Sequence, residues 1–582
     1  MPGRPCSPIF RVMCSFHPGR FKFAVLWPVL LLALIAGCTA LPAHADTGVA
    51  TWGLNTDGAL GNNDPNDNSS NVPVLLTRTG VLQGKLITSV AMGESHGLAL
   101  CSDGTLASWG YNGDGELGNG DTTGTNTNVP VLVNQTGVLA GKTVKQIACG
   151  DYFCLVLCTD GTLYSWGYNG DGDLGNGDTT FADQYAPVQV VQTGVLAGKT
   201  VESIAAGKGF SLALCADGTL FSWGYNGDGE LGNGDNTFSD SPVPVQVIQT
   251  GVLAGKTNSR ISAGDFGLAL CSNGTMATWG YGSDGELGNG LGESSNVPVL
   301  VTSTGVLSGL TVTQAVAGAS AGFALCSNGT LVSWGYNTDG ELGNGDDTFS
   351  DSLVPVAVTQ SGVLSGKNVT TLAAGDSTTE VICADGTLAT WGYNGDGELG
   401  NGDASYSDSN VPVLVTTSGV LSGKTATGIG AGGDVNLALF YNGNTPPTIS
   451  AIANQIAATG GSTGPVSFTV ADEETPAASL VVTAASSNTT VAPLSGITLG
   501  GAGANRTVSV VPAAVGTATI TLTVTDGNGG TATSAFTLTA VAPAGITLEN
   551  TAVRVGATQF GTAVFPVVLS AASTATITVN TP

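Results

Sequence analysis

With 582 residues, 42% of them hydrophobic, the chain has material for more than one packed domain and is not a disordered polymer. Its formal net charge of −27 repels nucleic acid and anionic membrane, which argues against a chromatin- or DNA-binding surface. The 87 glycines, with short Val-, Thr-, Leu- and Ile-rich segments between Gly, Asn and Asp clusters, predict an all-β fold.

At the N-terminus Arg11, Arg20 and Lys22 precede an apolar run from Phe23 to Ala36, followed by Ala43-His44-Ala45. This is the pattern of a secretory signal peptide over residues 1–45, and the run is short for a membrane-spanning helix. A competing reading takes Ile35-Ala36-Gly37-Cys38 as a lipoprotein-type box, with a lipid on Cys38. Removing residues 1–45 takes away Arg4, Arg11, Arg20 and Lys22 and no acid, leaving 12 basic against 43 acidic residues. The expected destination is the exterior or the cell envelope of a bacterium.

A repeat follows. Trp-Gly pairs begin at Trp52, Trp109, Trp166, Trp223, Trp279, Trp334 and Trp391, at intervals of 55 to 57 residues. The fullest element is Trp109-Gly-Tyr-Asn-Gly-Asp-Gly-Glu-Leu-Gly-Asn-Gly-Asp121. In the fourth unit Phe210-Ser-Leu-Ala-Leu-Cys215 and Leu220-Phe-Ser-Trp-Gly224 flank Asp217-Gly218, the strongest short-range hairpin signal. Both runs alternate large with small residues, so both faces must be buried, as in sheets stacked radially around an axis. A further strand, Val243-Pro-Val-Gln-Val-Ile248, carries prolines that suit an outer edge. The first unit lacks its leading strands, and the last, ending at the turn Asn442-Gly443, lacks its Trp strand. Residues 46–54 are therefore predicted to pair with residues 428–441 and close a seven-bladed β-propeller over 46–443.

The pattern Leu-Ala-Leu-Cys-x-Asp-Gly-Thr-Leu-x-x-Trp-Gly-x-Asn-x-x-Gly-x-Leu-Gly-x-Gly resembles the regulator of chromosome condensation repeat family, in a bacterial exported form. The resemblance implies the propeller fold; by itself it does not imply an activity. The founding member of that family is a nuclear guanine-nucleotide exchange factor that uses acidic residues, a histidine and an inserted wedge, and units of 55 to 57 residues leave no room for a wedge. The family's histidine element survives only at His96, which is expected to be a loop hydrogen-bonding residue.

His17, His44 and His96 are the only histidines, so no His-based triad or two-His metal site can be built outside the leader. Calcium is the one cofactor the acids suggest: Asp114, Glu116 and Asp121 offer hard oxygen ligands, although the spacing is not that of an EF-hand and turn roles are the favoured reading. Cys101, Cys158, Cys215, Cys271, Cys326 and Cys383 occupy one repeat position and read as small buried hydrophobes. Cys149 and Cys154 flank a hairpin end and are a candidate disulfide.

Asn444-Thr-Pro-Pro447 reads as a linker. Residues 448–541 resemble the immunoglobulin- or cadherin-like modules of bacterial surface proteins, without the antibody-type disulfide; there Asp472, Glu474 and Asp526 are further calcium candidates beside a turn reading. Residues 545–582 resemble the opening half of a Calx-beta module, too short to bury a core alone. The expected function is a non-enzymatic, monomeric binding or adhesion scaffold presenting propeller loops to a protein or glycan partner at the cell surface. It has no nucleic-acid partner and no membrane contact unless Cys38 is lipidated. A carboxylate-dependent carbohydrate-active enzyme on a propeller face is the alternative, and nucleotide exchange the third reading.

Overall fold

Between Thr47 and Tyr441 the computed structural model repeats one antiparallel four-stranded sheet seven times. The structure describes residues 47–441, 446–472, 475–526 and 530–543, together with the backbone of two short strands, 546–548 and 567–569. The segment 1–45 expected to be a signal peptide, with Cys38, the turn at Asn442-Gly443, Glu474 and most of residues 545–582 lie outside the described residues.

The sheet built from Val201–Ala206, Phe210–Cys215, Leu220–Gly224 and Ser241–Gln246 shows how the sequence makes each unit. Phe210 pairs with Gly224 and Leu214 with Leu220 across the hairpin. The turn holds because Gly218 takes φ +81°, a region open to glycine, while Asp217 accepts the Thr219 amide at 3.1 Å. Both middle strands are buried at every position. Phe210, Leu212 and Leu214 pack on Ala269, Cys271, Ala277 and Trp279 of the next sheet. Ala213, Cys215, Phe221 and Trp223 receive Phe153, Leu155 and Leu157 from the sheet before. Large faces thus meet small faces around the whole array, and each fully buried large side chain stabilises the fold by about 1.5–3 kcal/mol.

A second device links neighbours. The Trp223 indole N–H donates to the Asp173 carbonyl at 3.0 Å, Trp279 to Glu230 at 2.9 Å and Trp52 to Glu398 at 2.8 Å. The glycine two residues after the residue whose carbonyl accepts is required at that position: a Cβ on Gly232 would lie 2.7 Å from Trp279 Cδ1.

The first and last segments share one sheet. Thr47–Gly53 pairs with Val435–Tyr441, from Thr47 opposite Tyr441 to Gly53 opposite Val435. The innermost strands, from Ile87–Met92 round to Thr425–Ala431, each contact the next, and the last contacts the first. They enclose an axial channel.

Residues 448–541 form two more four-stranded sheets around Phe468, Val470, Val508, Ile520, Leu522, Phe536 and Leu538. Ile546–Leu548 pairs with Val567–Leu569. Among the described residues no helix is long and apolar enough to cross a membrane.

Candidate functional site

Two connections of every repeat emerge at the same end of the sheets. One is the tight link between first and second strands, as at Gly150-Asp151-Tyr152; the other is the long segment after each Trp-Gly. They meet where the Tyr168 amide donates to the Tyr152 carbonyl at 2.9 Å. Lys208 is the only basic residue in all these connections. The opposite end instead carries exposed ion pairs such as Lys85–Asp103 and Lys142–Asp160, both at 2.6 Å.

The tight links ring the mouth of the channel and are tied from sheet to sheet. Glu94 N donates to Asp151 O, Lys208 N to Gly264 O, Asp265 N to Ala319 O, Asp376 N to Gly432 O and Gly433 N to Gly93 O. The approach is close enough that a Cβ on Gly264 would fall 1.7 Å from the Gly318 carbonyl oxygen. This rigid rim points Glu94, Asp151, Asp265 and Asp376 at one another around Lys208, whose Nζ lies 3.4 Å from Asp376 and 3.8 Å from Asp265.

Burial is the main force on the carboxyls of Asp151, Asp265 and Asp376. It raises Asp265 to about 6 against the pull of Lys208, and Asp434 to about 6 with help from the Asp376 charge. Asp151 is held well above the usual carboxylate range by burial and by Asp376. Burial alone would lower the Lys208 ammonium, but Asp376, Asp265 and Asp151 hold it above its ordinary value. Beside the rim a cleft of about 310 Å³ is lined by Lys208, Asp265, Asp171, Asp228, Tyr225 and Tyr281. Tyr111, Tyr152 and Tyr168 stack edge to face nearby, with centroids 6.3 and 6.4 Å apart.

The suggested calcium ligands serve the loops. Glu116 is buried, and its Oε2 accepts the Asp114 amide at 3.0 Å; Asp121 accepts the Thr123 amide at 2.9 Å. Asp472 accepts from the Thr475 amide and Asp526 from the Gly530 amide. Among the described residues, the one group of three or more His, Cys, Asp or Glu side chains gathered closely enough to hold an ion is His96, Cys149 and Cys154. His96 is the first residue of the strand His96–Cys101 and fully buried, so the expectation of a loop residue is corrected: it occupies the register position that Phe153 and Phe210 fill in the next two sheets. Cys149 and Cys154 face each other across their hairpin as free thiols with sulfurs 3.2 Å apart. Sequence reasoning also missed Phe181, Phe238, Phe349 and Tyr406, which are exposed and hold φ of 52–56°, a costly region for a bulky side chain. Their signal was an aromatic three residues after the loop aspartate in four repeats.

Glu116 has counterparts in Asp173, Glu230, Glu286, Glu341 and Glu398, each with one oxygen on the amide two residues back; in all of the six but Glu230 the other oxygen is buried without a partner. Burial raises all six to about 7 or 8. A carboxyl raised on folding stabilises fully below its unfolded pKa, and that contribution is lost as pH climbs through the folded value. The melting temperature is therefore expected to fall by several degrees between pH 5 and pH 8.5. Asp103, held at about 2 by Lys85, does not titrate in that window. Glu230→Gln should raise the melting temperature at pH 8.5 and barely change it at pH 5; equal effects at both would refute the assignment.

The RCC1-like domain model matches residues 31–379, and the regulator of chromosome condensation (RCC1) repeat matches residues 385–439. The ultraviolet-B receptor UVR8 of Arabidopsis thaliana is 32% identical over 369 residues, 63% of this chain and 77% of that one. The RCC2 homolog of Xenopus laevis is 30% identical over 376 residues, 60% of this chain and 69% of its own length. Prp20p of Saccharomyces cerevisiae superposes with a TM-score of 0.59 at 20% identity, over 68% of this chain and 92% of that one, a likeness of fold. A repeated four-stranded sheet, the Trp-Gly connection and a family match over more than half the sequence agree: the chain belongs to the RCC1-like domain family.

Proposed function

We propose that the chain is a protein-binding platform whose channel mouth holds a lysine- and arginine-rich segment of a partner. The observation that carries this reading is the asymmetry of charge: carboxylates crowd one end of the sheets around Lys208 alone, beside tyrosine faces that favour cations. Prp20p, of the same fold, has been described with binding properties to Gsp1p and histones. In this reading the seven sheets are seven propeller blades and the two following sheets an immunoglobulin-like sandwich that acts as a spacer. Export, secreted or envelope-bound, rests on the sequence of residues 1–45 alone.

A fluorescent Lys/Arg-rich peptide should bind, and an Asp/Glu-rich peptide of equal length should not. Asp265→Asn with Asp376→Asn should weaken binding about tenfold or more, equivalent to about 1.4 kcal/mol. Because Asp265 and Asp434 titrate near pH 6, affinity should tighten from pH 5 to pH 8 as they ionise, and fall with added salt. Equal binding of both peptides, or indifference to the double substitution, would overturn the proposal.

A further inference from the structure

One junction between neighbouring sheets breaks the repeat at three positions at once. The first residue of the second strand is Phe153, Phe210 or Phe266 in three sheets and Ala321, Thr378 or Val435 in three others; here it is His96. The last residue of the first strand is Ala206, Ala263, Ala317, Ala374 or Ala431 in five sheets and Met92 in the sheet of His96 itself; in the sheet that follows it is Cys149. The second residue of the second strand is Gly97, Ser211, Gly267, Gly322, Thr379 or Asn436 in the other sheets, and in the sheet that follows His96 it is Cys154. Sheets this alike do not need three such departures for packing. The fold places them together although His96 and Cys154 are 58 residues apart.

His96 Nε2 lies 3.3 Å from Cys154 Sγ, the two sulfurs are 3.2 Å apart, and all three ligand atoms fall within 4.8 Å of one another. His96 and Cys154 are fully buried, and His96 Nδ1 has no hydrogen-bond partner. Ser211 and Asn436, two polar counterparts of Cys154, donate to the carbonyls of Asp173 and Glu398 at 3.3 and 2.8 Å, whereas Cys154 stands off the Glu116 carbonyl at 3.8 Å. Cys149 also lines an axial cavity of about 90 Å³, room enough for a water molecule.

We infer that His96, Cys149 and Cys154 form a metal site for a thiophilic cation such as Zn²⁺, with the fourth coordination position open to the axial cavity. Two thiolates and an imidazole are the donor set such ions select. A tetrahedral ion with bonds of about 2.3 Å to sulfur separates two thiolates by about 3.8 Å, so the sulfurs need part by only a fraction of an ångström. Binding replaces two S–H bonds with two metal–sulfur bonds, releases two protons, involves no redox change, and leaves the divalent ion and two thiolates neutral together in a buried place. The site would clamp the second sheet to the third.

The test is Co²⁺ titration of the reduced, metal-free full chain. The expected result is one Co²⁺ per chain with the thiolate-to-cobalt charge-transfer absorption of a tetrahedral site, displaced by Zn²⁺, with a higher melting temperature on Zn²⁺ loading. His96→Phe, Cys149→Ala and Cys154→Ser each install a residue that a sister sheet carries at that position, and each should abolish the absorption while folding normally. Cys215→Ala should leave it unchanged. Absence of the band, its survival in Cys154→Ser, or a Cys149–Cys154 disulfide whose reduction restores no metal binding would overturn the inference.

Discussion

Trp52→Ala is expected to lower the unfolding free energy by about 4 kcal/mol and to release the first strand from the ring. The indole is fully buried and packs with Ala438, Phe440, Ile382, Leu388 and Val415 at the junction between the closing sheet and the sheet before it. Removing a buried tryptophan to alanine costs about 3–5 kcal/mol through lost burial and the cavity left behind. The Glu398 carbonyl keeps its bond from Asn436 Nδ2, so little is added for an unsatisfied acceptor. Trp223→Ala removes an equally buried ring and an equivalent hydrogen bond, from a sheet built of one continuous segment. Both variants should lose similar stability in urea. Only Trp52→Ala should speed amide exchange across Thr47–Gly53; matching exchange in the two would show that Trp52 has no special part in closure.

Glu380→Leu should have the opposite sign, stabilising the chain by about 3 kcal/mol at pH 8. Glu380 is completely buried, and neither carboxyl oxygen has a hydrogen-bond partner. Its register counterparts are Leu98, Leu155, Leu212, Leu268, Phe323 and Leu437, so leucine fits that position in the sister sheets. An unpartnered buried polar group costs about 1–3 kcal/mol, and leucine adds apolar burial. Burial drives the carboxyl far above its ordinary value, so the folded state keeps it protonated while the unfolded chain ionises above about pH 4.5. The gain should therefore be smaller at pH 5 than at pH 8, and Glu380→Gln should recover only the pH-dependent part. A neutral or destabilising Glu380→Leu at pH 8 would mean that the carboxyl has a structural task.

The sheets were legible because the repeat writes its turns in Asp-Gly and its burial in alternating large and small residues. Phe210–Cys215 and Leu220–Gly224 lie where the hairpin signal puts them. The outer strand was read two residues late, as 243–248 instead of Ser241–Gln246, because Pro242 and Pro244 hide the start of an edge strand that need not donate every ladder bond. The split first unit announced the pairing of Thr47–Gly53 with Val435–Tyr441. The sites were harder. His96 has no neighbouring residue in the chain to mark it, and its company, Cys149 and Cys154, comes from the next sheet. Spacing rules see ligands close in sequence; here the signal was departure from the repeat, visible only once strand register is known. The channel rim was hidden for the same reason, since Glu94, Asp151, Lys208, Asp265 and Asp376 are single residues one repeat or more apart.

Closure through Thr47–Gly53 also sets a clock on synthesis. That strand leaves the ribosome first among the seven repeated sheets, and its partner Val435–Tyr441 leaves last of them, so at about 5–20 residues per second the first strand waits roughly 20 to 80 seconds unpaired. Its composition suits the delay: Thr47-Gly-Val-Ala-Thr-Trp-Gly53 carries one large apolar side chain, so a nascent chain exposes little for another to seize. The other six sheets can each complete on emergence, which makes the last seam, not the first hairpin, the event that commits the newborn ring to its native form.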